Sequence, residues 1–478
     1  MGFSKKYTLP LNSYSSLLWK RYPALYFALA FLLGIASFFH IYLLAFTFFI
    51  PKKQLWIVPF IGILYAKGLA PHVPEGREGT ALFHIEEVKY HSGPFHSSLA
   101  YSGKIRSFFV DHKTYHRIPC HLYIVPHQKR PLANRDYIIP KAELLEISPY
   151  HFVLKSKESW IPLENTHSFA EWRFQTKEKV KQWIRTRYRE PRVQDLMSAL
   201  LTGHLENRVL SYQFGKVGLQ HLLAISGFHF ALLTLFLAFL LKRFLPEKGM
   251  ALCLIVLLSL YFFYMGSAPS ISRAWMGVLI FLIGILFSFR PTPLNALGMA
   301  LLIALTRDPL IILNVGFQLS FGATLGILLF YKSFEEKLQS LLPKRPFLVL
   351  KQMSSLDQWG YLLCAYLRKG LALNGAVLTF TAPLLLYHFH SFPLLSLCYN
   401  LFFPFLFSLM MGGLMVGFFL PGISPLNELY ATFLIDLVAN APKKLMFDLG
   451  IYEIVGMVLG ITLTGLWVTL TRIRIRSP

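Results

Sequence analysis

Along the chain, apolar runs alternate with short basic or turn-forming breaks, and one polar interval of different character interrupts them. The runs lie at 24–50, 55–69, 216–241, 250–266, 271–289, 293–305, 309–330, 370–387, 393–420 and 454–470. An α-helix needs about 20 apolar residues to cross hydrocarbon, so the pattern predicts a polytopic α-helical membrane protein. Residues 24–50 admit either a tight hairpin or one long helix, and 421–450 is equally open.

From Pro71 the period changes. Stretches of strand composition at 81–90, 99–110, 118–125, 137–147 and 152–154 are separated by Gly93-Pro94, Asp111-His112, the turn-rich 126–134 and Ser148-Pro149. Short strands at that spacing suit a small β-barrel, with the oligonucleotide-binding fold as one candidate. His84, His91, His96, His112, His116, His121 and His127 follow no standard ligand spacing and read as surface histidines, so no metal is expected. Next, Trp172, Val180, Trp183, Ile184 and Tyr188 recur at helical spacing among Lys and Arg. That predicts a basic amphipathic helix in the membrane interface, although aromatic residues between cations also suit single-strand binding. The expected domains are 1–70 (cytoplasmic tail and anchors), 71–168 (an extracytoplasmic barrel resembling the oligonucleotide-binding fold), 169–190 (interfacial helix) and 191–478 (multi-helix channel domain).

The stretch 216–241 is apolar enough to span, yet carries His221, Ser226, Gly227 and His229 in its first half. If it is one helix, Ser226 and His229 share a face, and Gly227 loosens the backbone between them. Polar groups at membrane depth are costly and face a bundle interior or a hydrated path. Further such groups follow. Arg273 comes directly after a break at 266–270 that contains Pro269. Asn314 and Gln318 are expected to face together on one helix, near Ser320, with Gly322 and Gly326 allowing close helix approach. Asn400 and Pro404 predict a broken helix. Ser226, His229, Asn314 and Gln318 could equally serve as glue between helices, and Arg273, near a helix end, could snorkel to the interface.

Composition agrees with the pattern: of 478 residues, 54% are hydrophobic and 15% charged, which excludes an ordinary soluble protein. With 47 Lys and Arg against 24 Asp and Glu, formal net charge is +23. Cytoplasmic loops account for part of that excess, and the rest suits anionic lipid or nucleic acid. Placing Lys242, Arg243 and Lys248, the basic loop 332–351, and Arg472, Arg474 and Arg476 inside puts 71–190 outside. Cys120 stands alone in the polar interval, and no C-x-x-C spacing occurs.

The blocks ALLTGHLENRVLSYQFGKVGLQHLLAISGFHF, APSISRAWMG, DPLIILNVGFQLSFGATLGILL and APLLLYHFHSFPLLSLCYNLFFP occur here in that order. Together they resemble the ComEC-type competence proteins over roughly residues 190–420. Phe228-His229-Phe230 stands where that family has Leu-His-Val. The resemblance implies a channel in the cytoplasmic (inner) membrane that carries single-stranded transforming DNA inward, and it matches the strand interval loosely to a nucleic-acid-binding barrel. His221, Ser226, His229, Arg273, Asn314, Gln318, Ser320 and Asn400 become the candidates for the DNA path. Implied partners are single-stranded DNA, membrane lipid, an extracytoplasmic DNA receptor, a cytoplasmic helicase or ATPase, a separate nuclease and a second copy of the chain. No cofactor is expected. The family's metallo-β-lactamase-like run His-x-His-x-Asp-His is not found up to Pro478, which predicts a form without that domain and not an enzyme. No G-x-x-x-x-G-K-[ST] loop occurs either, so energy is expected from a partner. Two other readings remain: an intramembrane enzyme with Ser226 as nucleophile and His229 as base, or a transporter of an anionic solute or lipid.

Overall fold

The computed structural model describes residues 21–49, 53–71, 78–92, 97–124, 130–156, 158–223, 227–442 and 446–448. The expected crossing at 454–470 and the basic residues after it lie outside these.

Near the N-terminus, α1 (Pro23–Phe39) ends at His40, a 3-10 stretch follows at Ile41–Phe49, and α2 spans Ile57–Leu69. Residues 24–50 are therefore neither one long helix nor two crossings, because 17 helical residues use up the run before the chain tightens. Backbone approaches backbone where side chains are smallest. A Cβ on Gly34 would lie 2.1 Å from the Pro59 carbonyl oxygen.

The polar interval folds as β1 (Glu78–Ser92), β2 (Ser97–Val110), β3 (Lys113–Ile124), β4 (Tyr137–Ser148), β5 (His151–Ser156) and β6 (Ile161–Pro162). Alternation places Phe83, Ile85, Tyr101, Ile105, Phe108, Ile118, Leu122, Ile139 and Leu154 in one core. Bulges at Leu82/Phe83 and Ile85/Glu87 bend β1, which pairs with both β2 and β4. The pairing order is β1-β2-β3-β5-β4-β6. Between β3 and β5 only Cys120↔Phe152 and His121↔Val153 are in register. The expected small barrel is found as a strongly coiled sheet whose pairings return from β4 to β1, not closed along its full length because the β3–β5 ladder is reduced to those two pairs. Trp160 plugs the interior edge-on to Tyr101 and Tyr137, each at 5.5 Å.

The basic helix is α3 (Ala170–Arg187), and it joins the sheet to the helical domain. Arg173 Nη2 donates to the Glu86 carbonyl at 2.6 Å, and Lys177 Nζ donates to the Met265 carbonyl at 3.0 Å. Of the apolar residues on this helix, Ile184 and Tyr188 are buried against protein, Val180 and Trp183 pack beside them, and Trp172 points outward. Burial pulls the Lys177 ammonium down to about 8 in spite of Glu87, whose carboxylate lies 3.6 Å away.

The helical domain follows as α4 (Pro191–Thr202), α5 (Arg208–Lys216), α6 (Gln220–Leu223), α7 (Gly227–Leu241), α8 (Glu247–Met265), α9 (Pro269–Leu286), α10 (Pro293–Arg307) and α11 (Val315–Leu338). It continues with α12 (Phe347–Gln352), α13 (Ser355–Phe389), β7 (Ser391–Pro393), α14 (Ser396–Phe419), α15 (Ser424–Ala439) and β8 (Met446–Asp448). Five described helices, α8, α9, α11, α13 and α14, are long and apolar enough to cross a membrane. The protein is a multi-pass membrane protein carrying a small β domain.

Two expectations change here. The stretch 216–241 is not one helix: α5 stops at Lys216, Gly218 takes φ +73°, and α6 intervenes before α7. A Cβ at Gly218 would also meet the Ser396 side chain at 2.4 Å, so the turn and its packing both require glycine. Conversely, α14 runs unbroken through Pro404, which a helix surrounded by apolar neighbours tolerates.

One charged cluster fastens α3 to the sheet. Glu171 accepts from Arg130 at 2.6 and 2.9 Å, from the Ala133 backbone N–H at 2.9 Å and from Gln175 at 2.9 Å. Burial pushes this carboxyl up, but these donors outweigh it and hold it below the usual carboxylate range. Glu171→Gln leaves Arg130 without its ion pair and is expected to cost the strand domain about 2–3 kcal/mol. Because the folded value is depressed, the contribution is complete above the ordinary glutamate range and is lost as pH falls through the lowered value. Hydrogen exchange at β1 amides across that pH range checks both statements.

Candidate functional site: a polar seam among four helices

Arg273 sits on the first turns of α9, and its guanidinium reaches the neighbouring helices. Its Nε donates to Ser320 Oγ on α11 at 2.7 Å. Its Nη2 lies 2.7 Å from where a Cβ would stand on Gly227, the first residue of α7. Gly227 therefore makes room for a cation, a role that backbone looseness did not suggest. Arg273 forms no ion pair with a carboxylate among the described residues. Ser320 is fixed from behind, because Thr324 Oγ1 donates to its carbonyl at 3.0 Å.

The start of α11 carries the second group. Asp308 caps the 3-10 turn Pro309–Leu313 by accepting from the Leu310 N–H at 3.0 Å. Asn314 caps α11 by accepting from the Phe317 N–H at 3.1 Å. Asn314 is thus a helix cap and does not share a helical face with Gln318, since the chain before it is not α-helical. Gln318 bridges instead. Its Nε2 donates to the Ile312 carbonyl at 2.8 Å, and its Oε1 accepts from His388 Nε2 on α13 at 2.7 Å.

Sequence reasoning missed His388, although its place on the last turn of an apolar helix, one helical turn past Pro383, was a usable signal. The helices α11 and α13 can approach because Gly326 presents no side chain; a Cβ there would lie 2.3 Å from the Ala376 carbonyl oxygen. Gly322 faces Phe380 in the same seam.

Other candidates lie apart from this seam. His221 shares a hydrogen bond of 3.1 Å with the Gly218 carbonyl. His229 is buried edge-on to Phe228 and Phe407, both at 5.9 Å. The Asn400 carbonyl oxygen on α14 is buried without a hydrogen-bond partner. Pro269 opens α9 at its N-terminus, where its missing N–H costs nothing. Ser226 lies outside the described residues.

On the strand domain, an open groove of about 940 Å³ between the end of α2 and β2–β3 is lined by Lys67, Arg106, Tyr115, His116 and Arg117. Sequence pattern does not mark it, because Lys67 at the end of α2 meets the β2–β3 hairpin only in the tertiary fold. His84 and Asp136 approach to 2.6 Å beside Arg106, and no group of three or more metal-ligating side chains occurs among the described residues.

Removing one partner of the Gln318–His388 bond has a measurable expectation. A double-mutant cycle with Gln318→Leu and His388→Phe is expected to give a coupling of about 0.6–1.7 kcal/mol. Unfolding in mixed micelles measures it, and a coupling near zero would mean that the two side chains do not hold α11 to α13.

Comparison with known proteins follows these lines. A family model described as "Competence protein" matches residues 204–472. The chain is similar to ComE operon protein 3 of Bacillus subtilis (strain 168), with 29% identity over 234 residues, 48% of this chain and 27% of that protein. The match spans about a quarter of the length of that relative. No solved structure matches.

Proposed function

The chain belongs to the competence protein family, and from that premise we propose that it carries transforming DNA, as a single strand, through the cytoplasmic membrane along the α7–α9–α11 seam. The observation that carries this reading is Arg273, a cation at membrane depth that meets a serine hydroxyl in place of a carboxylate. An arginine at the centre of a membrane helix costs about 2.5–3.5 kcal/mol on insertion scales, and Arg273, on the first turns of α9, costs less. A half-buried cation without an acid among the described residues is suited to a passing anion, because a permanent carboxylate would compete with each phosphate. Transport also needs binding weak enough to release, and a single guanidinium with one neutral partner provides that.

The orientation follows from the charges. Lys242, Arg243 and Lys248 lie at the start of α8, whereas the strand domain is bonded to its far end through Lys177 and the Met265 carbonyl. Positive residues collect inside, so the strand domain faces outside. Its basic groove, with Lys67, Arg106 and Arg117, then receives the strand first, and the exposed ring of Trp172 anchors α3 in the interface. A cytoplasmic ATPase and an outer DNA receptor are the partners this reading calls for.

Complementing a deletion strain tests the route. Arg273→Ala is expected to lower uptake of labelled DNA at least about tenfold while the protein inserts normally, and His229→Ala less, since His229 sits between aromatic rings. Full uptake with both variants would remove the seam from the path.

A further inference from the structure

A second arginine of the helical domain is more deeply placed than Arg273. Arg368, on α13, is 2% exposed. Its Nη1 donates to the Leu342 carbonyl at 2.6 Å, its Nε is buried without a hydrogen-bond partner, and no carboxylate among the described residues pairs with it. Across the seam, Ser333 on α11 is 6% exposed and its hydroxyl is likewise buried without a partner. The antiparallel register set by Gly322 against Phe380 and Gly326 against Ala376 brings Ser333 level with the turn of α13 that carries Arg368. Glu335, the acid on the next turn of α11, is committed to Lys344 at 2.9 Å.

Buried donors without acceptors are costly, and a charged donor most of all. Here the Arg368 Nε and the Ser333 hydroxyl each lack a hydrogen-bond partner, and a tetrahedral oxyanion would supply acceptors for both. We propose that Arg368 and Ser333 form a second anion site, for phosphodiester oxygens, at the end of the seam remote from the strand domain. This rests on the DNA-path reading and extends it. The Leu342 carbonyl stands in the acceptor position, on a loop held down by Lys344–Glu335 and by Arg345 N–H donating to the Tyr361 hydroxyl at 3.3 Å. An arriving phosphate replaces that neutral acceptor with a charged one, and charge-assisted hydrogen bonds are about twice as strong. Ser320, which holds Arg273, and Ser333 are separated by about 20 Å of α11 axis at 1.5 Å per residue. Two weak anion sites at that separation let a strand pass from one to the next, and neither needs to bind tightly.

The test uses the full chain in cells that lack the native gene. It reads uptake of labelled DNA into a nuclease-resistant form, the amount of inserted protein, and the melting temperature in detergent. Arg368→Gln is expected to cut uptake at least about tenfold with a melting shift of no more than about 3 °C, while Arg368→Lys keeps at least about a third of wild-type uptake. Wild-type uptake with Arg368→Gln overturns the proposal, and so does equal loss in the Lys and Gln variants accompanied by equal drops in melting temperature, which marks a structural clamp on the 339–346 loop. Arg273→Gln is measured in parallel. If it alone loses uptake, the second site is wrong and the path stands; if neither variant loses uptake, both fall.

Discussion

The constraint on which the helical domain depends is that polar groups inside hydrocarbon must find their partners within the protein. Gln318 answers it twice, with its amide nitrogen on the Ile312 carbonyl and its oxygen on His388. In doing so it ties the entry turn of α11 to the last turn of α13. Asn314 and Asp308 answer it at the chain breaks, each by capping the turn that follows. These bonds order helices that have little hydrophobic reason to prefer one neighbour over another, since lipid is as apolar as their own side chains. Small residues supply the rest. Gly34, Gly298 and Gly326 each bring one backbone against another, so dispersion contacts accumulate over the whole seam.

A second constraint joins the two domains. Helix α3 is basic, but its cations are spent on specific carbonyls and carboxylates: Arg173 on Glu86, Lys177 on Met265, and Lys181 on Glu178 and Glu206. These contacts run from the bulged part of β1 to the loops at the ends of α4 and α8. His204 adds one more, with its Nε2 donating to the Tyr90 carbonyl at 2.7 Å. A helix bonded at both ends transmits position, so the sheet is held at a fixed place relative to the helices. The positive charge that reads as a membrane-binding face in the sequence is therefore partly structural.

Much of this was legible in the residues themselves. The strands were readable because stretches of strand composition are set off by turn-forming residues, and β2 and β4 begin and end within two residues of where the pattern put them. The long helices were readable because an apolar run of spanning length has few other solutions. What failed was local geometry inside apolar runs. Nothing in the pattern 216–241 marks where α5 ends, because Gly218 is needed for a positive φ and for contact with Ser396, which lies far off in the chain. Asn314 looked helical by spacing, yet the 3-10 turn before it makes it a cap. Pro404 looked like a break, yet the helix absorbs it. His388 was passed over because its partner Gln318 is distant in sequence, and pairing across a bundle leaves no periodic trace.

The same reasoning separates cement from path among the buried polar residues. A side chain that serves as cement has its donors and acceptors matched, as in Gln318, Asn314 and Ser320, and evolution gains nothing by leaving it otherwise. A cation without an acid among the described residues is the opposite case. Arg273 keeps its guanidinium in a space that exists because Gly227 has no side chain, so the fold gives up packing there to hold a charge it does not neutralise. On the proposed function, the neutralising group is a passing phosphate.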